Sequence, residues 1–93
     1  MTTIITMHEV EDGDRWAKAW HPGSGSRQEM IAKLGYTART FRGLQDPNLT
    51  GLIMEVPDLT QFLAVAQSDE MRKNAEEDGA KLDTLRILVE LTP

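Results

Sequence analysis

Residues 36–56, YTARTFRGLQDPNLTGLIMEV, hold the part of the chain that decides its fold. Tyr36–Leu44 reads as a strand, and Leu49–Val56 as another. Between them Gln45-Asp46-Pro47-Asn48 makes a turn, with Pro47 presetting its backbone angle. The second strand puts Leu52, Met54 and Val56 on one face and Ile53 and Glu55 on the other. So short a connection makes the pair an antiparallel hairpin.

Outward from the hairpin, each side repeats the same order. Upstream, Thr2–Val10 is rich in β-branched and apolar types, with Ile4, Thr6, His8 and Val10 on one face and Ile5, Met7 and Glu9 on the other. Asp12-Gly13-Asp14 ends that strand and caps a helical stretch in which Trp16, Ala17 and Trp20 share a stripe, and Pro22 stops it. After the Gly23-Ser24-Gly25-Ser26 joint, Ser26 and Glu29 form a capping box for a second piece carrying Met30, Ile31 and Leu34 and ending at Gly35. Downstream, Asp58 and Gln61 open another helix with Leu59, Phe62, Leu63 and Ala66 as its apolar stripe. Ser68-Asp69-Glu70 is a fresh cap, so this helix breaks there and its second piece runs to Gly79. Leu82–Leu91 alternates as a last strand, with Leu85, Ile87, Val89 and Leu91 on one face and Leu82, Thr84, Arg86, Leu88 and Glu90 on the other.

The predicted order is βαββαβ, an α+β fold with right-handed crossovers, a four-stranded antiparallel sheet and helices on one face: the ferredoxin-like arrangement. With 93 residues the unit occupies residues 1–93 as one domain, burying only about 60–65% of its unfolded surface. No further domain is left to cover the second sheet face, where Ile4, Val10, Ile53, Leu82 and Leu88 are expected, so a homodimer with two sheets face to face is expected.

Composition excludes several functions. Without cysteine there is no disulfide, thiolate metal site or thiol nucleophile, which suits a reducing cytoplasm. A net charge of −5 argues against a nucleic-acid partner. No stretch approaches the roughly 20 apolar residues of a membrane span. Met1–Val10 has no export signature, so a cytoplasmic location is expected. Two histidines without matched carboxylates make no metal motif. No Lys-Ser/Thr follows the Gly/Ser joint, which reads as a lid or linker and not a phosphate loop.

Three stretches taken in order resemble the dimeric α/β-barrel superfamily, and within it antibiotic-biosynthesis-monooxygenase-like proteins and small putative cyclases. They are Met7-His8-Glu9-Val10-Glu11-Asp12-Gly13-Asp14-Arg15-Trp16, Arg42-Gly43-Leu44-Gln45-Asp46-Pro47-Asn48, and Glu55-Val56-Pro57-Asp58-Leu59 with Ser68-Asp69-Glu70-Met71 and Gly79. The resemblance implies a homodimer whose subunits each enclose a small pocket, working without metal or organic cofactor on an aromatic or polyketide-like molecule. Haem-degrading relatives carry a Trp and a haem-ligating His on the second helix; residues 58–79 here have neither. The Pro22–Ser26 interruption also departs from the longer first helix of the family.

His8 is the first candidate for chemistry. An imidazole near the end of the first strand is placed to take a proton from a phenol or from a carbon beside a carbonyl, or else it is a hydrogen-bonded histidine near the dimer interface. His21 sits at a helix end, where a cationic ring complements the dipole. Trp16 and Trp20 are either core or an aromatic wall for a flat ligand, and Tyr36 shapes the same pocket. Arg42, Glu55 and Arg86 are strand charges that either pair across the dimer or anchor substrate, with Arg42 or Arg86 steadying negative charge on a carbonyl oxygen. Asp46 is read as a turn residue and Glu76-Glu77-Asp78 as a solvated, fraying helix end. The expected function is a small-molecule-binding barrel, monooxygenase- or cyclase-like with His8 as base; the alternative is a non-catalytic binding or assembly protein of the same fold.

Overall fold

The computed structural model describes residues 1–91. The elements run β1 (Thr2–Val10), α1 (Gly13–Trp20), α2 (Arg27–Ala32), β2 (Thr37–Arg42), β3 (Leu49–Val56), α3 (Leu59–Ala66), α4 (Asp69–Glu77) and β4 (Ala80–Val89). The four strands form one sheet in the order β2-β3-β1-β4, and all neighbours are antiparallel. This is the ferredoxin-like α+β arrangement that the sequence predicts.

Each helix starts where a side chain satisfies its free amides. Asp12 accepts from the amides of Asp14 and Arg15, Ser26 from Glu29, Asp58 from Gln61 and Ser68 from Met71. The Glu29 carboxylate reaches back to the Gly25 amide at 3.3 Å, completing a capping box one residue earlier than its usual target. The break between α3 and α4 falls at Ser68, whose hydroxyl also donates to the Val65 carbonyl at 2.7 Å. Gly35 and Gly79 both take φ of 82°, which reverses the chain after a helix at no Cβ cost.

The strand alternation decides which side chains meet the helices. Ile4 and Val10 from β1, and Leu52, Met54 and Val56 from β3, are buried against Trp16, Ile31, Tyr36 and Phe62. Ile4 and Val10 therefore belong to the helix-covered face, not to the open face where they were expected. Leu82 is corrected in the same way, since it faces the helices. Ile53 and Leu88 do lie on the open face, each opposite Ile5 in the ladder.

The reason for the Leu82 correction is a break in β4. Met7 pairs with Arg86 and Glu9 with Lys81, so two steps along β1 correspond to five along β4. The extra residues are odd in number, which flips the alternation and turns Leu82 and Leu85 to the same side. Thr84 holds the irregular segment: its hydroxyl donates to the Lys81 carbonyl at 2.6 Å and accepts from the Glu9 amide at 2.8 Å. Two strand ends also shift. β2 covers Thr37–Arg42, within the expected Tyr36–Leu44, and β4 begins at Ala80 and ends at Val89, leaving Leu91 beyond it.

Candidate functional site

The register break falls at His8. In the β1–β3 ladder His8 is opposite Thr50, but on the β4 side it lies between the last paired residues and faces no partner. Its side chain points to the helix layer and is half-buried. Beside it lies a cavity of about 150 Å³ between the sheet and the helices. The walls include Thr6, Trp20, Tyr36, Phe62, Met71 and Leu82, so most of the lining is aromatic or aliphatic. His8 also forms part of the wall of a second, smaller cavity of about 80 Å³, shared with Trp16, Trp20, Arg27, Asn74 and Asp78.

The surroundings set the charge state of His8. Burial holds the imidazole below its ordinary pKa, and the negative charge of Asp78 offsets part of that shift. The ring stands edge-on to Trp16, 6.1 Å between centroids. The Thr50 hydroxyl donates to the His8 backbone carbonyl at 2.9 Å, so its proton is already used. It lies 3.4 and 3.5 Å from the two ring nitrogens, too far for a strong bond to either. Burial thus favours the neutral form of the imidazole, in which one ring nitrogen has a lone pair to offer.

The other sequence-chosen residues divide into two groups. Trp16 is 2% exposed and backs His8, and its ring meets Trp20 at 6.0 Å. Trp20 is partly buried and borders both cavities. Tyr36 packs on Phe62 at 6.0 Å, and its hydroxyl lies 3.5 Å from Gln61 Oε1. Burial first, and Asp58 second, push the Tyr36 phenol above its ordinary pKa.

Arg42, Glu55 and Arg86 stand apart from these cavities. Arg42 ties the hairpin to the start of α1, donating to the Pro47 carbonyl at 3.1 Å and to Asp14 at 3.2 Å. Glu55 is on the open face and accepts from Thr3 at 2.7 Å. Arg86 is on the same face, opposite Met7, and donates to the Leu85 carbonyl at 3.0 Å. His21 caps the C-terminal end of α1, with Nδ1 3.1 Å from the Pro22 carbonyl.

Asp78 corrects the expectation of a solvated helix end. It is 8% exposed and accepts two bonds from Arg27, from Nε at 2.7 Å and from Nη2 at 2.8 Å. No local pattern announces that pair, because its members are 51 residues apart. Among the described residues no three His, Asp or Glu side chains gather where they could share a metal ion, and no helix is long and apolar enough to cross a membrane.

A solved structure described as an antibiotic biosynthesis monooxygenase superposes on this chain with a TM-score of 0.70, covering all of both chains at 13% sequence identity. This chain has an antibiotic-biosynthesis-monooxygenase-like fold. At that identity the likeness carries the architecture and not the reaction. No family model matches the sequence, and neither does any curated protein.

Proposed function

We propose that this protein binds a small, flat, largely apolar molecule in the cavity beside His8, and that His8 takes a proton from it. One observation carries the reading: a half-buried imidazole, kept below its ordinary pKa by desolvation, stands on the wall of a 150 Å³ cavity that is otherwise mostly apolar. A neutral imidazole near pH 7 accepts a proton from a phenol or from a carbon next to a carbonyl. Apolar cavities of about 150 Å³ hold a benzene-sized molecule, which sets the ligand at one aromatic ring. Trp20, Tyr36 and Phe62 frame that ring, and Trp16 supports the imidazole from behind. The product of the step is an electron-rich phenolate or carbanion, the starting point for cyclisation, isomerisation or oxygenation.

The same proposal includes a homodimer. The open sheet face exposes Ile5, Met7 and Phe41 around a depression of about 270 Å³ over Gly51, and Leu88 opposite Ile5 on the β4 side. It also bears Arg86 and Glu55, charges of opposite sign that a two-fold contact can pair. Under this reading Arg86 and Glu55 belong to the interface, and sedimentation gives a dimer at micromolar concentration. A stable monomer would remove it.

A nitrophenol whose absorbance reports its ionisation tests binding and proton transfer together. Binding quenches tryptophan fluorescence, and transfer to His8 shifts the nitrophenol spectrum toward the phenolate. His8→Gln is expected to keep the quenching and lose the shift. Absence of quenching in the wild type overturns the binding reading, and an equal shift in His8→Gln removes His8 as the acceptor.

A further inference from the structure

His8 separates two unlike compartments. On one side is the largely apolar cavity; on the other is the smaller one, walled in part by Arg27, Asn74 and Asp78. Arg27 grips Asp78 through two short bonds, and its Nη2 also donates to the Asn74 carbonyl at 3.4 Å. Glu77 stands 3.7 Å from the same guanidinium, so the cluster of Arg27, Glu77 and Asp78 carries one net negative charge. Each Asp78 oxygen accepts one bond from Arg27 and keeps further lone pairs.

The structure assigns Asp78, held in place by Arg27, as the positioning residue that stabilises the imidazolium formed when His8 accepts a proton. This rests on the reading of His8 as proton acceptor. The charged and titratable groups that share the two cavities with His8 are Arg27 from α2, Arg72 from α4, Asp78 just after α4, and Tyr36 just before β2. Among these Asp78 is the one carboxylate. α1, α3, β3 and β4 line the cavities with uncharged side chains alone. A new positive charge on a half-buried ring needs a nearby anion, because the surroundings solvate it poorly. Arg27 fixes the carboxylate in place, and its opposite charge weakens the field that Asp78 exerts on the ring, while burial is what keeps the imidazole below its ordinary pKa. Asn74 and Met30 hold the same corner together, with Asn74 Nδ2 3.3 Å from the Met30 sulfur.

The test is an NMR titration of the His8 imidazole in the ligand-free protein, so its outcome does not depend on whether a phenol binds. Asp78→Asn is expected to move the His8 midpoint down, and Arg27→Gln to move it up, with amide dispersion verifying that each variant is folded. A purely structural ion pair would weaken the fold in both variants without shifting His8 in opposite directions. Where a variant fails to fold, the wild-type protein decides: the Asp78 carboxyl carbon signal is expected to inflect at the His8 midpoint. A His8 midpoint unchanged in folded Asp78→Asn, or an Asp78 carboxyl signal flat through the His8 titration, overturns the assignment.

Discussion

β1 is bordered by β3 on one side and β4 on the other, and the two borders are unlike. Against β3 it pairs without interruption from Thr2–Val56 to Glu9–Leu49. Against β4 the ladder breaks between Met7 and Glu9. The regular border buries Ile4, Leu52, Met54 and Val56 and anchors the core. The broken border leaves β4 side chains only partly covered and gives His8 a neighbouring space in place of a neighbouring residue. The difference shows how one sheet can keep a stiff flank for stability and an irregular flank for a site.

Truncating one leucine on each border separates the two most sharply. Leu52→Ala, 6% exposed on the regular side, is expected to cost about 2–5 kcal/mol in urea unfolding. Leu85→Ala, half-buried on the broken side, is expected to cost about 1 kcal/mol because less area leaves water there. Equal losses would mean that β4 is packed as tightly as β3.

Thr84→Val tests what holds the break. The hydroxyl makes two bonds, to the Lys81 carbonyl and from the Glu9 amide, each contributing about 0.5–1.5 kcal/mol. Hydrogen exchange of the Glu9 amide is expected to quicken in this variant, while amides of the β1–β3 ladder keep their protection. Uniform quickening across β1 would show that the two borders open as one unit.

The smallest expected effect is on stability against pH. The folded pKa of His8 lies below 6.5, so on acidification the unfolded chain binds its proton first. The contribution of neutral His8 is fully present above about pH 6.5 and is lost as pH falls from there toward the folded pKa. The urea midpoint should therefore decline over that window in the wild type and decline less in His8→Gln. Matching profiles would place His8 in a water-like setting.

The regular half of this contrast was legible in the sequence, and the irregular half was not. β1 and β3 have the predicted bounds, and within each the residues predicted to share a face do share one, but the sequence alone did not say which face of β1 the helices cover: Ile4 and Val10 lie under them and not on the open side. The caps at Asp12, Ser26, Asp58 and Ser68 were equally plain, since each is a local side-chain-to-amide pattern. In β4 the alternation of Leu82–Leu91 looked unbroken, yet one threonine hydroxyl competes with the backbone and reverses the phase at its start. His8 stood out as the one titratable imidazole near the end of β1, but only the folded chain shows that its face is the helix-covered one. Asp78 did not, because only the folded chain brings Arg27 to it. Arg42, Glu55 and Arg86 were visible as charges in strands, but a strand charge does not say which side of the sheet holds a cavity.

The central claim is that the space left by the broken border holds a ring-sized ligand against neutral His8. A crystal structure of the protein soaked with a single-ring phenol tests it directly. The account predicts the ring between Trp20, Tyr36 and Phe62, with its oxygen within hydrogen-bond distance of a His8 ring nitrogen. A phenol bound only on the open sheet face, or a His8 sealed off by repacked side chains, would contradict it.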